Sequence, residues 1–499
     1  MADALVTPAI ADAAKTPAST ANARQKGHET SLWTRFAYGF GSVAFGVKDN
    51  GFSYFLLIFY SQVIGVDPRW VSGAISIALI FDALCDPLIG YFSDNLHSKW
   101  GRRHPFMYAA AIPVSLSYLL LWRPPVGWSA AEIFWYLLVL AILIRIMITM
   151  FETPSSSLGA ELAAGYDERS SLMSWRYYFG WTGGNLMTVL MYGVLFPAFA
   201  TTAIKNGQFN RDAYAVYGLI ASGLIFLGIM VSALGTHARI PYLHAPPPKR
   251  RITPFVVLKE IWETLSNRSF FALFLSTAFG AVAAGLSAAL AFYFLSYFWA
   301  FNAFQNFLIT GSVFFSAFIG AWLAPLASRT IGKRMGAVII GFVAFLGSPL
   351  PVVLRLFGWL PPNGTPFIFW FVLATTMIDV GLIIAFGILG SSMMADLVEQ
   401  AELKTGRRAE GVFFSAATFI RKLVTGIGVS AAGYVLWFAQ FPKGADPAHV
   451  PAAALWRLGA YYVPSILTLW MTMVAVILFY SLDRKGHEAN LRKLAETKK

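Results

Sequence analysis

Twelve long apolar stretches, separated by short polar segments, dominate the pattern of hydrophobic and polar positions along the chain. Each approaches or exceeds the length of about 20 residues that a helix needs to cross a bilayer. Backbone groups in lipid must form their hydrogen bonds within the structure, which favours helices over barrel strands for runs this long and uniformly apolar. The pattern therefore predicts twelve membrane-spanning helices, at residues 36–62, 70–96, 106–123, 131–157, 172–197, 214–236, 270–298, 304–328, 336–357, 366–396, 411–438 and 457–482.

The composition agrees with an integral membrane protein. Of the 499 residues, 57% are hydrophobic and 13% are charged, and the mean hydropathy is +0.60, which does not describe a soluble globule. A net charge of +13 would suggest nucleic acid in a soluble chain, but here we interpret it as anchoring at an anionic inner leaflet of the lipid bilayer. We expect no nucleic-acid partner. The single cysteine, Cys85, leaves no intramolecular disulfide available.

Lysine and arginine are distributed unevenly over the connections between the predicted spans. The two tails and the even-numbered loops hold 26 of the 38 lysines and arginines, whereas the odd-numbered loops, counted with the span ends that border them, hold 7. Short cytoplasmic loops retain positive charge. We therefore expect a multi-pass protein of the cell (inner) membrane with both termini in the cytoplasm.

The longest polar interruption falls after the sixth span and divides the chain six plus six. A short repeat supports the division, because "KWGRRHP" and "TIGKRMG" each place a glycine before two cations in the second inner loop of their half. Two such halves form a binding site at their interface near the membrane midplane. We expect a disordered cytosolic N-tail (1–33), a six-helix bundle (34–236), a cytosolic linker with an amphipathic helix (237–269), a second six-helix bundle (270–482) and a basic cytosolic C-tail (483–499).

Ten charged residues lie well inside the predicted spans, at least four residues from either end. Each costs roughly 2.5–3.5 kcal/mol at the centre of a helix on insertion scales, so such a group requires internal partners and usually has a function. The signs balance, which favours one polar interior over positions that face lipid. The acids are Asp49, Asp82, Asp86, Glu152 and Asp379, and the bases are Lys48, Arg145, Arg176, Arg421 and Lys422.

Asp82 and Asp86 lie four residues apart in the stretch "FDALCDPLIGYFSD". This spacing places both carboxylates on one helix face, where they repel unless a cation lies between them or one of them holds a proton. The pair therefore predicts a site for Na⁺ or H⁺. In the alternative, the two acids are structural ion-pair partners of Lys422 or Lys48, which is compatible with a coupling role.

Arg145 precedes Glu152 by seven residues, close to two helical turns, so the two side chains share a helix face. We expect them to form an ion pair. In the alternative, Arg145 binds the carboxylate of an acidic sugar. No histidine lies inside a predicted span, which excludes a histidine proton relay.

Four stretches of the chain, running from Tyr38 to Gly65, Phe81 to Phe106, Pro154 to Arg176 and Met394 to Leu423, carry a resemblance to a known family. The most specific are "FDALCDPLIGYFSDNLHSKWGRRHPF" and "MADLVEQAELKTGRRAEGVFFSAATFIRKL". Together they resemble the glycoside-pentoside-hexuronide:cation symporter family of the major facilitator superfamily. The resemblance implies an all-α integral membrane protein with the major facilitator fold, twelve transmembrane helices in two six-helix halves.

The resemblance also implies a role for each matching residue. Cation binding would use Asp82, Asp86, Thr149 and Lys422. Substrate binding would use Lys48, Asp49, Glu152, Ser156, Arg176 and Thr418. A conformational latch at the inner loop after the second helix would use Asp94, Arg102 and Arg103.

The chain departs from the family pattern at two places that affect specificity. Cys85 replaces an asparagine between the paired acids. Because a thiol is a poor Na⁺ ligand, this replacement favours the proton over Na⁺ as the coupling ion. Ser156 replaces an aromatic residue that contacts sugar in the family, so we expect a wider pocket, and the sugar need not be a galactoside.

The function favoured by these features is secondary active transport, in which a sugar or glycoside enters together with H⁺ or Na⁺ by alternating access. The coupling ion takes the place of a cofactor, and none is expected. One alternative is a carrier of a lysolipid or other amphiphile on the same fold. A membrane-embedded enzyme and a multidrug antiporter are further alternatives, but no nucleophile elbow, P-loop or histidine metal cluster in the sequence supports an enzyme.

Overall fold

The computed structural model of the protein describes residues 30–162, 166–202, 204–243, 268–405 and 410–480. These residues form helices and short connections, and no strand occurs among them. The predicted amphipathic linker helix and most of both predicted tails lie outside the described residues. We name the helices α1 to α12 in chain order.

Helices α1 to α6 form the first half. Helix α1 runs from Leu32–Phe40 through Ser42–Asn50 and ends in a π-helical turn at Phe59–Val63. The others are α2 (Pro68–Asn95), α3 (His104–Leu121), α4 (Ala130–Leu162), α5 (Tyr166–Leu190, with a π-helical turn at Met191–Leu195) and α6 (Arg211–His237).

Helices α7 to α12 form the second half. They are α7 (Arg268–Tyr293, with a π-helical turn at Phe294–Phe298), α8 (Ala303–Thr330), α9 (Lys333–Gly347 and Leu350–Leu356), α10 (Pro366–Thr405), α11 (Glu410–Phe438) and α12 (Ala452–Ile477). Nine of the described helices are long and apolar enough to cross a membrane, and the other three are α1, α5 and α11. The all-α prediction is confirmed, and each predicted span overlaps one of these helices.

Local sequence signals explain several helix ends. Helix α2 begins after Asp67, whose side chain accepts a hydrogen bond from the Arg69 backbone N–H, with Pro68 at the first helical position. A capping box of Asn302 and Gln305 begins α8. These caps fix where each span starts.

Glycines bring α1 and α5 into backbone contact. A Cβ atom on Gly46 would lie 2.0 Å from the carbonyl oxygen of Gly180, and one on Gly184 would lie 2.6 Å from the carbonyl oxygen of Gly46. Only glycine permits this approach, as at small-residue interfaces between membrane helices. This close packing joins the middle of α1 to α5.

The two halves meet along α2 and α11. Ser76 of α2 donates a hydrogen bond of 2.6 Å to the carbonyl oxygen of Gly426 and lies 2.7 Å from the hydroxyl of Ser430. A Cβ atom on Gly433 would lie 2.0 Å from the hydroxyl oxygen of Ser72. Small residues therefore allow these helices to pack closely across the interface.

The halves are also joined where α1 connects to α2, α7 to α8, and α11 to α12. We call this end of the bundle the closed end. Tyr293 and Tyr297 of α7 contact Ser61 and Gln62 of α1, and Tyr297 donates a hydrogen bond of 3.2 Å to the Gln62 side chain. Among the described residues, polar side chains thus join the two halves at three places, namely the closed end, the Ser76 contacts and the surroundings of Lys422.

Candidate functional site

Asp82 is fully buried, and its two carboxylate oxygens have different partners. The Thr149 hydroxyl donates a hydrogen bond of 2.7 Å to Oδ1, and Arg145 Nη1 donates one of 3.2 Å to Oδ2. Lys422 Nζ lies 3.4 Å from the same Oδ2. Side chains of α4 and α11 therefore surround this acid, and Arg145 and Lys422 offset its charge.

Asp86 lies one turn further along α2. Lys422 Nζ donates a hydrogen bond of 2.8 Å to its Oδ2, and the Thr153 hydroxyl donates a longer one of 3.4 Å to its Oδ1. One ammonium group from the second half thus bridges both acids of the first half. The role of this cluster in cation binding stays a prediction, since its geometry also satisfies the structural ion pair.

Lys48 and Asp49 form an ion pair beside this cluster. Lys48 Nζ lies 2.6 Å from Asp49 Oδ1, and the Lys48 side chain is fully buried whereas half of the Asp49 side chain is exposed. Arg145 Nη1 lies 3.6 Å from the same Asp49 oxygen. Arg145 thus joins Asp49 of α1 to Asp82 of α2.

The predicted Arg145–Glu152 ion pair is wrong. The side chain of Arg145 reaches away from α4, with its guanidinium 4.7 Å above the Phe52 ring and in contact with Asp49 and Asp82. Carboxylates on two neighbouring helices outcompete the one on its own helix. The Glu152 carboxylate instead interacts electrostatically with Lys422.

Arg176 ties α5 to α4 at the predicted substrate site. Its Nη1 donates a hydrogen bond of 3.1 Å to the Ser155 hydroxyl, and its Nη2 donates one of 3.4 Å to the Glu152 carbonyl oxygen. The guanidinium lies 4.9 Å above the Phe45 ring, a cation–π contact. These contacts hold Arg176 close to Glu152 while the Glu152 carboxylate stays available to other partners.

Three further residues singled out in the sequence are Ser156, Cys85 and Thr418. Ser156 is exposed on α4, next to the buried Ser155. Cys85 is half-buried and carries a free thiol. Thr418 lies on α11, but its side chain is outside the described residues.

The predicted latch residues converge within the first half. Arg103 contacts Asp94 and donates a hydrogen bond of 2.7 Å to the Ser93 hydroxyl. Arg102 and Arg103 lie 2.7 Å and 3.1 Å from the same carboxylate oxygen of Glu161, at the end of α4. Sequence reasoning missed Glu161, because an acid at the end of a span resembles an ordinary surface charge until the fold brings Arg102 and Arg103 to it.

Known proteins resemble this chain along nearly its whole length. The sequence profile of the MFS/sugar transport protein family matches residues 37–484. The Synechocystis sp. protein "Uncharacterized symporter sll1374" is 24% identical over 532 residues, covering 91% of this chain and 95% of that protein. The isoprimeverose transporter of Lactiplantibacillus pentosus is 24% identical, with coverage of 90% and 88%. The sodium-dependent lysophosphatidylcholine symporter 1 of Gallus gallus is 22% identical, with coverage of 95% and 91%.

Solved structures show the same fold. The nucleoside transporter NupG superposes with a TM-score of 0.58 at 12% identity, over 89% of this chain and 99% of that one. A D-xylose-proton symporter superposes with a TM-score of 0.58 at 14% identity, over 88% and 97%. The predicted major facilitator fold is confirmed.

A helical bundle with a charge cluster between its two halves is thus the framework of a membrane transporter. The chain belongs to the MFS/sugar transport protein family, and the expected relationship to sugar and glycoside symporters is confirmed. The family and the relatives are transporters, so the enzyme alternative is set aside.

Proposed function

We propose that this transporter carries a sugar or glycoside into the cell together with H⁺ or Na⁺. The observation that carries the proposal is the position of Lys422, which belongs to the second half and lies 2.8 Å from Asp86 and 3.4 Å from Asp82 of the first half. An ion that neutralises these acids competes with Lys422. Ion loading therefore acts directly on the contact between the halves that alternating access must break and remake.

The proposed substrate residues adjoin the ion cluster. Asp49 keeps half of its side chain exposed although it lies in the middle of α1 beside the buried Lys48. Arg145 contacts both Asp49 and Asp82, so the substrate side and the ion side share one bridging group. Carboxylate and guanidinium groups supply the hydrogen bonds that sugar hydroxyls require. This proximity gives a physical route by which ion and substrate binding affect each other.

The closed end corresponds to the outer face under the orientation that we propose, with both termini in the cytoplasm of the inner membrane. The excess of lysine and arginine at the opposite end supports that orientation. Under that orientation the described polar contacts between the halves lie at the outer side and near the midplane, which supports an inward-facing carrier. Asp94, Arg102 and Arg103 would form the latch at the cytoplasmic side.

A lysolipid is the second candidate substrate. It is favoured by the lysophosphatidylcholine symporter among the relatives, whose similarity spans 95% of this chain. The exposed Ser156, in place of an aromatic side chain, leaves room for a larger ligand. The two substrates differ in chemistry, so one assay separates them.

Uptake into right-side-out vesicles tests the proposal. Radiolabelled glycosides, pentosides and uronides are offered under an imposed pH gradient or an imposed Na⁺ gradient, with proteoliposomes and labelled lysophosphatidylcholine in parallel. We expect accumulation of at least one sugar above equilibrium under one gradient, and its loss in Asp86→Asn. Gradient-driven accumulation that is unchanged in Asp86→Asn would refute the coupling role, and transport of the lysolipid alone would refute the sugar.

A further inference from the structure

Arg145 lies inside the proposed ion site, where a bound metal cation would need space and negative charge. We propose that the Arg145 guanidinium takes the place of Na⁺ beside Asp82 and thereby restricts the coupling ion to a proton taken up by Asp86. This inference rests on the proposed function and deepens it, since it names the ion and the residue that selects it.

Arg145 is held firmly at this position. It lies 3.2 Å from Asp82 and 3.6 Å from Asp49, and its guanidinium is stacked on Phe52. Its side chain is 6% exposed. Three contacts from α1 and α2 therefore fix a residue of α4, and little room remains for it to move aside when an ion arrives.

The charge of Arg145 is permanent. A guanidinium cannot be deprotonated in a protein, whereas a buried lysine shifts its pKa readily. Lys422 could in principle leave the acids or lose its proton during the transport cycle, but Arg145 belongs to the same half as Asp82 and Asp49. Asp82 therefore keeps a positive neighbour in every conformation that preserves the first half.

Both carboxylate oxygens of Asp82, which Na⁺ would use as ligands, already accept hydrogen bonds. A hard cation requires several oxygen ligands. Asp82 Oδ1 accepts the Thr149 hydrogen bond and Oδ2 accepts the Arg145 hydrogen bond. A sodium ion close enough to use Oδ2 would also approach the guanidinium and be repelled by it. The set Asp82, Asp86 and Thr149 thus holds too little free negative charge for a metal ion.

Asp86 is the acid that lacks a permanent counter-charge in its own half. Its described partners are Lys422 from α11 and the neutral Thr153 from α4. The other charged groups near it are Asp82 on α2 and Glu152 on α4, both acids, while Lys48 and Asp49 of α1 pair with each other. When Lys422 withdraws, Asp86 is left among acids, and a proton neutralises it without requiring further ligands.

Ion binding by the purified full-length protein tests this inference without a transported substrate. Unfolding temperature is measured in NaCl against choline chloride at equal ionic strength, for the wild type and for Arg145→Gln. We expect no Na⁺-specific rise in the wild type and a clear rise in Arg145→Gln. The apparent Na⁺ dissociation constant should fall by about tenfold or more, because one unit of positive charge within a few ångströms of the ion is removed.

Matched variants separate charge from folding. Arg145→Lys keeps the positive charge and should stay insensitive to Na⁺. Arg145→Gln combined with Asp49→Asn removes one charge of each sign, and serves as the second test if the single variant does not fold. Asp86→Asn in the Arg145→Gln background should abolish the Na⁺ response, since it removes a ligand.

The outcomes are distinct from those of the transport assay. Na⁺-specific stabilisation of the wild type, or a folded Arg145→Gln and a folded double variant that both ignore Na⁺, would overturn the inference even if sugar uptake is observed. Conversely, a gain of Na⁺ binding in Arg145→Gln supports the selector role of Arg145 whatever the transported substrate is.

Discussion

Lys422 of α11 donates a hydrogen bond of 2.8 Å to Asp86 of α2, and this contact crosses the interface between the two halves. The side chains of both residues are largely buried, at 16% and 22% exposed. Removing one partner of a buried pair leaves a charge without compensation, at a cost of about 3–5 kcal/mol. Substitution of Lys422 should therefore affect the free energy of unfolding as well as transport.

Lys422→Gln should lower the free energy of unfolding by about 3 kcal/mol, because Asp82 and Asp86 then repel each other without the bridging ammonium. The double variant Lys422→Gln with Asp86→Asn should recover part of that loss. Chemical denaturation of the purified variants in detergent measures both values. A loss in the double variant equal to the sum of the losses in Lys422→Gln and Asp86→Asn would show that the pair does not interact.

Tyr293→Phe should weaken the closed end. The Tyr293 hydroxyl contacts the side chains of Ser61 and Gln62, and a buried hydrogen bond is worth about 1 kcal/mol. We expect the population open at this end to rise roughly fivefold or more. Labelling of a cysteine introduced at this end reports the opening in a background with Cys85 replaced, and Tyr462→Phe, inside the second half, is the matched control.

Asp67 gives the closed end one pH-dependent contact. Burial raises the pKa of this carboxyl, but hydrogen bonds from Arg69 and Lys443 outweigh burial and lower the pKa to about 2. Lys443 Nζ lies 3.2 Å from the Asp67 carboxylate, in the connection between α11 and α12. Because the pKa is depressed in the folded protein, the stabilisation is fully present above the ordinary value of 3.8 and is lost as the pH falls towards 2.

The unfolding temperature of the wild type should therefore decline between about pH 4 and pH 2 more steeply than that of Asp67→Asn. Differential scanning fluorimetry across this range compares the two. Parallel curves would show that the Asp67 contacts contribute nothing to the folded state.

Asp379→Asn should leave stability unchanged or raise it by about 1 kcal/mol, because burying a polar atom without a partner costs free energy and a neutral amide of the same size is tolerated or preferred. Asp379 lies on α10, and its buried Oδ1 has no hydrogen-bond partner among the described residues. Chemical denaturation in detergent measures the change in stability. We also expect no coupling role for Asp379. Full uptake activity in the Asp379→Asn variant would agree with this expectation, and loss of gradient-driven uptake would contradict it.

Glu161→Gln should destabilise the first half by about 2–3 kcal/mol, because loss of the charge leaves two guanidinium groups with fewer partners. The Glu161 carboxylate contacts both Arg102 and Arg103, whose side chains are 11% and 6% exposed. Asp94→Asn, in which the acid is half-exposed, should cost clearly less because water already screens that pair. Denaturation of the two purified variants measures both costs, and comparable losses would contradict this ranking.

The sequence predicted the helices well because an apolar run of membrane length has few alternatives in lipid. It also indicated the shared face of Asp82 and Asp86, since spacing within one helix follows from helix geometry. The partner of Arg145 could not be predicted in this way. Spacing within α4 suggests Glu152, but the choice of Asp49 and Asp82 depends on how α1 and α2 pack against α4.

Glu161 illustrates a second kind of limit. An acid at the polar end of a span looks like an ordinary surface charge, and only the fold reveals that Arg102 and Arg103 converge on it. The contacts of the closed end were equally hard to predict from the sequence, because no pattern in α7 distinguishes Tyr293 and Tyr297 from interfacial aromatic residues. Contacts between elements distant in sequence required the three-dimensional structure.

The closed end is held mostly by neutral groups, namely tyrosine and serine hydroxyls and glutamine amides. Salt screens interactions between exposed charges but leaves buried hydrogen bonds between neutral groups nearly unaffected. Ionic strength in the adjoining medium should therefore act on the charged contacts at this face, such as those of Asp67 with Arg69 and Lys443, and leave these hydrogen bonds nearly unchanged. This contact between the halves should therefore persist through large changes in the salinity of the medium that it faces.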